Sequence, residues 1–265
     1  MSGVALEPAL EAASAGGRKL LVTYMTGGLG ANWVEYVQVM AEAGADVIEI
    51  GLPFSDPVMD GPTIQAASLR ALQHGATPGA ILDELGRREL PVPLVAMTYY
   101  NLVFRAGHSR FARMLADASV LGAIIPDVPL EESGEWEAAA AAAGVAPVLL
   151  AAPVTPDDRL AQICERSRGF IYGVNVMGVT GERATVASSS SALAVRLKAA
   201  TDKPVVMGFG ISTPDQAVTA AADADGAVVA SALMRAVLDG ASVDQVGAMV
   251  AEFRAALDRA ALNRG

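Results

Sequence analysis

The sequence has 265 residues, of which 52% are hydrophobic and 18% are charged, so its composition is that of a globular protein and not of a disordered one. Its 19 Lys and Arg against 29 Asp and Glu give a net charge of −10. No basic run occurs, which argues against nucleic acid or an anionic membrane as partner. The single cysteine, Cys164, excludes an internal disulfide and a multi-thiolate metal site, and we expect it to be a small apolar residue on a helix.

The N-terminus lacks the basic-then-apolar pattern of a secretory signal. Glycine, proline or charge interrupts every apolar stretch before it reaches membrane-spanning length. We therefore expect a cytoplasmic protein. No group of side chains has metal-ligand spacing, so we predict no metal site.

Short apolar runs alternate along the chain with segments of helical periodicity. A short N-terminal helix is expected first. The predicted strands are Leu20–Met25, Val47–Gly51, Val92–Met97, Leu121–Pro126, Ala146–Ala151, Phe170–Val174, Val205–Gly208 and Gly226–Val229. The predicted helices are Trp33–Ala43, Thr63–Gln73, Arg110–Ala118, Glu132–Ala143, Asp157–Glu165, Ala192–Ala199, Pro214–Ala222 and roughly Val243–Leu257. Gly44, Gly75 and Gly144 are placed to end three helices in the left-handed conformation.

About eight strand–helix units in about 250 residues predict an α/β protein of the (β/α)8 TIM-barrel type. The alternative is a doubly wound open sheet, but no G-x-G-x-x-G motif opens the first helix. No linker or compositional break marks a second domain, so we expect residues 1–265 to form a single barrel domain.

The second predicted strand carries an acid. Val47, Ile48 and Ile50 are β-branched and bounded by turn residues, which indicates a buried strand. Glu49 within it would bury a charge, which is costly unless the group is paired or used. The alternative is a glutamate facing solvent on an edge strand, but no period-2 alternation surrounds it.

In a (β/α)8 barrel the chemistry lies at the carboxyl ends of the strands. The residues at the predicted ends are mostly apolar, aromatic or glycine. This composition predicts a largely hydrophobic pocket with few polar groups.

Turns of small residues follow the sixth, seventh and eighth predicted strands, at Gly178–Gly181, Gly208–Ser212 and Ala230–Ala232, and the first two contain glycine. Such turns let backbone N–H groups approach an anion, and a short helix beginning at Ser231 adds its dipole. Tight turns and helix caps, for which Ser212 and Ser231 are suitable, explain each motif singly. The three together favour a phosphate site.

The segment Glu49–Gln65 contains the motifs PFSDP and DGPTIQ. Together with Asn101–Phe104, Asp127–Ser133 and the glycine turns, it makes the sequence resemble the tryptophan synthase alpha chain family over nearly its whole length. The resemblance implies a lyase that splits indole-3-glycerol phosphate into indole and glyceraldehyde 3-phosphate in the last steps of tryptophan biosynthesis. It implies no cofactor on this chain. It also implies a beta-chain partner, in an α2β2 heterotetramer, that holds pyridoxal phosphate and condenses the indole with serine.

That cleavage is a retro-aldol step, in which ring carbon C3 gains a proton and the adjacent hydroxyl loses one. Glu49 suits proton transfer because burial raises the pKa of a carboxyl. Asp60, in a more polar loop, is expected to stay ionised, accept the ring N–H and stabilise the cation. By resemblance, Tyr172 lies beside Glu49 and orients it or acts at the hydroxyl; the alternative is a core aromatic residue.

The resemblance also implies binding residues. The phosphate would be held by Gly181, Gly210, Ala230 and Ser231, and the indole flanked by Tyr24, Met97, Ile124, Leu150 and Phe209. Thr180 would lie in a mobile lid spanning Gly178–Ser191, and Asp56 and Pro57 would touch the beta chain. Asp127 is expected to fix loop geometry near Asp60 without touching substrate.

Several positions depart from the family pattern. Ala230 stands where glycine is usual, and Asn175 and Val176 replace a hydroxyl residue and its polar neighbour before the lid. The turn Thr26–Gly30 lacks the usual acidic residue. These changes leave Glu49 and Asp60 intact but weaken any prediction of allosteric communication.

Three functions remain open at this stage. The first is a lyase subunit that works with a beta chain. The second is a stand-alone lyase that releases free indole, which the altered lid suggests. The third is a barrel that has lost useful activity and activates a beta chain, against which the intact Glu49 and Asp60 argue.

Overall fold

The computed structural model describes residues 6–174, 183–208 and 210–262, with the backbone alone for 183–188. Eight parallel strands form a closed barrel in chain order, in which the first strand also pairs with the eighth. The predicted (β/α)8 barrel is therefore confirmed, and the open sheet is wrong.

Each strand is followed by one or two helices. The strands are β1 (Leu20–Thr26), β2 (Val47–Gly51), β3 (Leu94–Met97), β4 (Val120–Ile124), β5 (Ala146–Ala151), β6 (Ile171–Val174), β7 (Val205–Gly208) and β8 (Gly226–Val229). The helices are α1 (Leu6–Ala13), α2 (Trp33–Glu42), α3 (Pro62–Gln73), α4 (Pro78–Leu85), α5 (Tyr100–Ala106), α6 (His108–Asp117), α7 (Gly134–Ala143), α8 (Asp157–Arg166), α9 (Arg183–Ala200), α10 (Pro214–Ala220), α11 (Ser231–Leu238) and α12 (Val243–Leu262). None of these helices is both long and apolar enough to cross a membrane.

Two helices were missing from the prediction. Helix α4 begins with a Thr77 cap, whose side chain accepts the Ala80 N–H at 3.2 Å, followed by a proline in the first turn. This start signal is visible in the sequence. Helix α5 begins at Tyr100, three residues after β3 ends at Met97.

Alternate strand residues point into the barrel, where they form one apolar cluster. In the β1–β2 register Tyr24 lies opposite Glu49. At the opposite end, Leu6 and Leu10 of α1 are fully or almost fully buried in this same interior cluster. Helix α1 therefore closes the amino-terminal end of the barrel, while the carboxyl ends of the strands carry the candidate site.

The C-terminal helix is tied to the amino-terminal ends of the first two strands through Asp46. This carboxylate accepts the Leu21 N–H at 2.8 Å and the Arg254 guanidinium at 3.0 Å. Arg254 also donates to the Lys19 carbonyl at 2.8 Å. These bonds fix α12 against β1 and β2 at the end of the barrel far from the strand carboxyl ends.

Candidate active site

Glu49 is completely buried on the inner face of β2. Neither of its carboxylate oxygens has a hydrogen-bond partner among the described residues. Burial raises the pKa of Glu49 from 4.5 to about 8, because the charged form loses its hydration. The predicted direction of this shift is confirmed, and at neutral pH the side chain holds a proton that it can donate.

Asp60 lies in the loop between β2 and α3, and its Oδ2 accepts a hydrogen bond from the Tyr99 hydroxyl at 3.1 Å. Burial raises the pKa of Asp60 to about 6, and the hydrogen bond from Tyr99 opposes that rise. The loop buries Asp60 more than the sequence indicated. Its pKa still lies below that of Glu49, so near pH 7 Asp60 is mainly ionised while Glu49 is mainly protonated.

Tyr99 is a site residue that the sequence analysis missed. Its hydroxyl donates to Asp60 and also accepts the backbone N–H of Met59 at 3.0 Å. Its ring stacks on Phe54, with centroids 5.1 Å apart. Tyr99 lies in the loop after β3 and therefore fixes the position of the loop after β2. The only signal in the sequence is a pair of tyrosines directly after the third strand.

Asp127 follows β4, and its Oδ1 accepts the backbone N–H of Tyr100 at 2.8 Å. The bond anchors the start of α5, immediately after Tyr99. Asp127 thereby supports the segment that holds Asp60, which agrees with the loop-fixing role expected from the sequence.

Two tyrosines on the inner face lean in the same direction over glycines of the next strand. Tyr24 of β1 places its hydroxyl against Gly51 of β2, where an added Cβ would overlap it. Tyr172 of β6 packs against Gly208 of β7, where an added Cβ would lie 2.8 Å from the hydroxyl. Burial first, and then the charge of Glu49, raises the pKa of Tyr172 well above its usual value. Tyr172 is therefore a neutral hydroxyl that faces the same barrel interior as Glu49.

The predicted indole-pocket residues converge as far as the structure describes them. Ile124 is fully buried in the interior cluster, with Met97 and Leu150 packed against it. Met97 pairs with Ile124, and Leu150 with Tyr172, across adjacent strands. Phe209 lies outside the described residues. The three described side chains of β3, β4 and β5 therefore form an apolar wall inside the barrel, and Met97 pairs with Gly51, two residues after Glu49 on β2.

The predicted phosphate residues follow adjacent strands. Gly210 comes after β7, is exposed and has φ +64°, while Ser231 opens α11 directly after β8. Ala230 occupies the cap position of that helix. Gly181 and the lid residue Thr180 lie outside the described residues, as do Asn175 and Val176.

The helix-cap alternative fails for Ser212, because Thr213 caps α10. The Thr213 side chain accepts the N–H of Gln216, and the Gln216 side chain reaches back to the Thr213 N–H. In α11 the cap position belongs to Ala230, so Ser231 is the first helical residue and not its cap. The N–H groups at the start of α11 point toward the strand carboxyl ends, as an anion site requires.

The loop after β2 presents apolar side chains to solvent. Asp56 is exposed and Pro57 half-buried, and next to them Val58 and Met59 are 79% and 59% exposed. Phe104 of α5 is 66% exposed. Large apolar side chains grouped on one rim of a folded protein indicate an interaction surface.

Other polar residues have structural roles. Cys164 is buried on α8, as predicted. His74 ends α3 and contacts the Leu29 carbonyl at 3.2 Å, and His108 begins α6. Asp157 lies in the first turn of α8, and its carboxylate accepts hydrogen bonds from Arg196.

Glu49 and Asp60, with pKa values of about 8 and about 6, thus act on the same interior tyrosines, Tyr24 and Tyr172, of a closed parallel barrel. This arrangement defines a (β/α)8-barrel enzyme that works by acid–base catalysis. Comparison with known proteins makes the assignment more specific. The model of the tryptophan synthase alpha chain family matches residues 10–261.

Individual relatives agree. The tryptophan synthase alpha chain of Gloeobacter violaceus is 46% identical over 220 residues, covering 82% of this chain and 79% of that protein. That of Geobacter sulfurreducens is 43% identical over 248 residues, covering 92% and 93%. A structure of Mycobacterium tuberculosis tryptophan synthase superposes with a TM-score of 0.87 at 37% identity, covering 95% of this chain and 97% of that chain.

The chain therefore belongs to the tryptophan synthase alpha chain family. It is a lyase that acts on indole-3-glycerol phosphate in tryptophan biosynthesis, and the family implies a beta-chain partner.

Proposed function

We propose that Glu49 is the group that both gives and takes the proton in the cleavage of indole-3-glycerol phosphate. The reaction moves one proton, from the hydroxyl beside the scissile bond to ring carbon C3. Neutral Glu49 protonates C3, which leaves a cationic ring. Its carboxylate then takes the hydroxyl proton, the aldehyde forms, and the electrons of the broken carbon–carbon bond return to the ring. Glu49 ends as it began.

The complete burial of Glu49, without a hydrogen-bond partner among the described residues, is the observation that carries this proposal. Because its pKa is about 8, most molecules hold the reacting proton at neutral pH. A carboxyl at its ordinary pKa would be almost entirely ionised there and unable to start the reaction.

Asp60 supplies the fixed negative charge. In the proposal its carboxylate accepts the ring N–H and stabilises the cation formed when C3 is protonated. The Tyr99 hydroxyl holds Oδ2, which leaves the other carboxylate oxygen for the ring. Tyr172, a neutral hydroxyl beside Glu49, orients the acid or assists at the substrate hydroxyl.

The proposal also assigns the residues that bind the two ends of the substrate. Gly181, Gly210, Ala230 and Ser231 hold the phosphate, and Thr180 belongs to the lid over it. Tyr24, Met97, Ile124, Leu150 and Phe209 flank the indole. The support is that Gly210, Ala230 and Ser231 follow the neighbouring strands β7 and β8, and that Met97, Ile124 and Leu150 face the interior from the successive strands β3, β4 and β5.

We also propose that the chain acts as one cytoplasmic barrel domain, without a cofactor of its own, in an α2β2 complex. The beta chain would hold pyridoxal phosphate and contact Asp56 and Pro57. Exposed Val58 and Met59 beside those residues support this surface.

An assay of the purified chain with indole-3-glycerol phosphate, with and without a beta chain, tests the function. Glu49→Gln is expected to abolish indole release nearly completely while glycerol phosphate still binds, because only proton transfer is lost. Glu35→Gln, on the exposed surface of α2, is the matched control and should keep full activity. A Glu49→Gln enzyme with most of its rate would refute the assignment.

The same assay separates the modes of action. Stimulation by the beta chain supports a partnered lyase, and high turnover without it supports a stand-alone one. Absence of indole under both conditions would leave only an activating role.

A further inference from the structure

Tyr24 and Gly51 form a close pair directly beside Glu49. Tyr24 and Glu49 are register neighbours on the inner faces of β1 and β2, and Gly51 is the next inward residue of β2 toward the mouth. The Tyr24 hydroxyl rests against Gly51 and accepts a hydrogen bond from Thr26 Oγ1 at 3.4 Å. The phenol ring therefore crosses from β1 to β2 on the mouth side of Glu49.

Gly51 is what makes this crossing possible. A Cβ there would overlap the Tyr24 hydroxyl and come within 3.0 Å of a second ring carbon, so any larger residue would push the ring away. Tyr172 approaches Gly208 in the same way, so in both pairs the tyrosine of one strand packs against a glycine of the next strand. Tyr24 is only 4% exposed, so its ring seals the position that it occupies.

The environment of Glu49 depends on such a seal. Its carboxylate has no hydrogen-bond partner among the described residues, and burial alone accounts for its raised pKa. Among the described residues, the titratable groups that face this part of the interior are Tyr24 from β1, Tyr172 from β6, Asp60 from the loop after β2 and Tyr99 from the loop after β3. None of these four is a cation that could hold Glu49 ionised. Water reaching the carboxyl would therefore restore its ordinary acidity.

We propose that Tyr24 is a positioning residue whose ring, seated on Gly51, covers Glu49 and keeps it dry and protonated before substrate arrives. This inference rests on the proposed role of Glu49 as proton donor. In this proposal Tyr24 shields Glu49 in addition to flanking the indole, and Gly51 leaves the space that the Tyr24 ring needs.

The test measures the protonation of Glu49 directly. Infrared difference spectra of the whole chain without substrate, with Glu49→Gln as blank, follow the protonated carboxyl stretch as a function of pH. The wild-type midpoint is expected at about 8. Tyr24→Phe keeps the ring and should leave the midpoint unchanged. Tyr24→Ala and Gly51→Ala uncover Glu49 and should lower the midpoint by about one pH unit or more.

The basic limb of the kcat/KM profile should move with the infrared midpoint. Tyr36→Ala, which removes a buried tyrosine of α2 bonded to the Ala241 carbonyl, controls for loss of stability alone and should leave the midpoint unchanged. If Tyr24→Ala does not fold, Gly51→Ala carries the test. Midpoints near the wild-type value in the uncovered variants would overturn the proposal.

The two proposals fail in different ways. If Glu49→Gln abolishes cleavage but the Tyr24 and Gly51 variants keep the wild-type midpoint, Tyr24 does not cover Glu49, and the assignment of Glu49 as the acid stands. If the midpoint follows Tyr24 while Glu49→Gln retains its rate, Glu49 is covered but is not the proton donor.

Discussion

At the scale of single residues, the site separates two chemically similar groups by their surroundings. Glu49 is buried and has no hydrogen-bond partner in the described part of the chain, whereas Asp60 receives a hydrogen bond from Tyr99. The difference places their pKa values near 8 and 6, and in opposite protonation states between those values. The proposed mechanism requires that combination of one proton donor and one fixed negative charge.

We therefore expect a bell-shaped pH dependence of kcat/KM. Activity should rise as Asp60 ionises, with a midpoint near 6, and fall as Glu49 loses its proton, with a midpoint near 8. Initial rates of indole release measured from pH 5 to pH 9.5 give both limbs. Activity that keeps rising above pH 8 would show that Glu49 must start as a base.

Removing the Tyr99 hydroxyl should move the acid limb alone. In Tyr99→Phe the ring can still stack on Phe54, but Asp60 loses a hydrogen bond that favours its ionised form. The pKa of Asp60 should rise, so the acid limb shifts to higher pH while the basic limb stays in place. The measurement is the pH profile of kcat/KM.

The control for that substitution is the neighbouring Tyr100→Phe. The Tyr100 hydroxyl contacts His108 Nε2 at 3.0 Å and not Asp60. Equal shifts of the acid limb in both variants would contradict a specific action of Tyr99 on Asp60.

At the scale of secondary-structure elements, stability and chemistry occupy opposite ends of the barrel. Asp46 precedes β2 at the end where α1 and α12 pack, and its side chain is only 7% exposed. Asp46→Ala should lower the free energy of unfolding by about 3 to 5 kcal/mol, because Arg254 loses its buried carboxylate partner and the Leu21 N–H loses its acceptor. Urea unfolding measures this, and both limbs of the pH profile should remain in place.

Asp258→Ala is the matched comparison for Asp46→Ala. Asp258 also pairs with Arg254, but its side chain is 44% exposed, so its loss should cost about 1 kcal/mol or less. Similar costs for the two substitutions would show that burial of Asp46 adds nothing to its pairing.

The elements also show what local sequence can and cannot predict. Strand β2 was predicted with its observed ends because β-branched residues and flanking turns define it locally. Helix α4 was missed although Thr77 and Pro78 mark its start. Helix α5 was missed for a different reason: its first N–H is held by Asp127, which lies one strand further along the chain. The local sequence around Tyr100 does not include Asp127, so it could not predict this bond.

The site divides in the same way. The buried position of Glu49 was predictable, because an acid inside a run of β-branched residues has no exposed face. The Tyr99–Asp60 bond depends on which loops meet at the barrel mouth, and the Tyr24–Gly51 pair depends on strand register. Neither follows from residue types along the chain, so both had to come from the structure.

At the scale of the whole molecule, the apolar rim next to the site suits a protein partner. Val58→Asp should weaken binding of a beta chain about tenfold or more, because the interface would bury a charge in place of an apolar side chain. Turnover of the isolated chain should change little. Isothermal titration with the beta chain measures the affinity.

Val195→Asp provides the control for the rim. Val195 is 55% exposed on α9, away from the loop after β2, so its substitution should leave the affinity unchanged. Equal weakening by both substitutions would argue against the rim as the docking surface.

Helix α1 has a consequence for molecular traffic. With Leu6 and Leu10 buried in the interior cluster, α1 plugs the amino-terminal end of the barrel in the described part of the chain. Reactant and both products would then come and go at the carboxyl ends of the strands, the end from which the loop with exposed Val58 and Met59 extends. A partner bound to that loop would lie beside their route, so it could receive freed indole before the indole reaches bulk water.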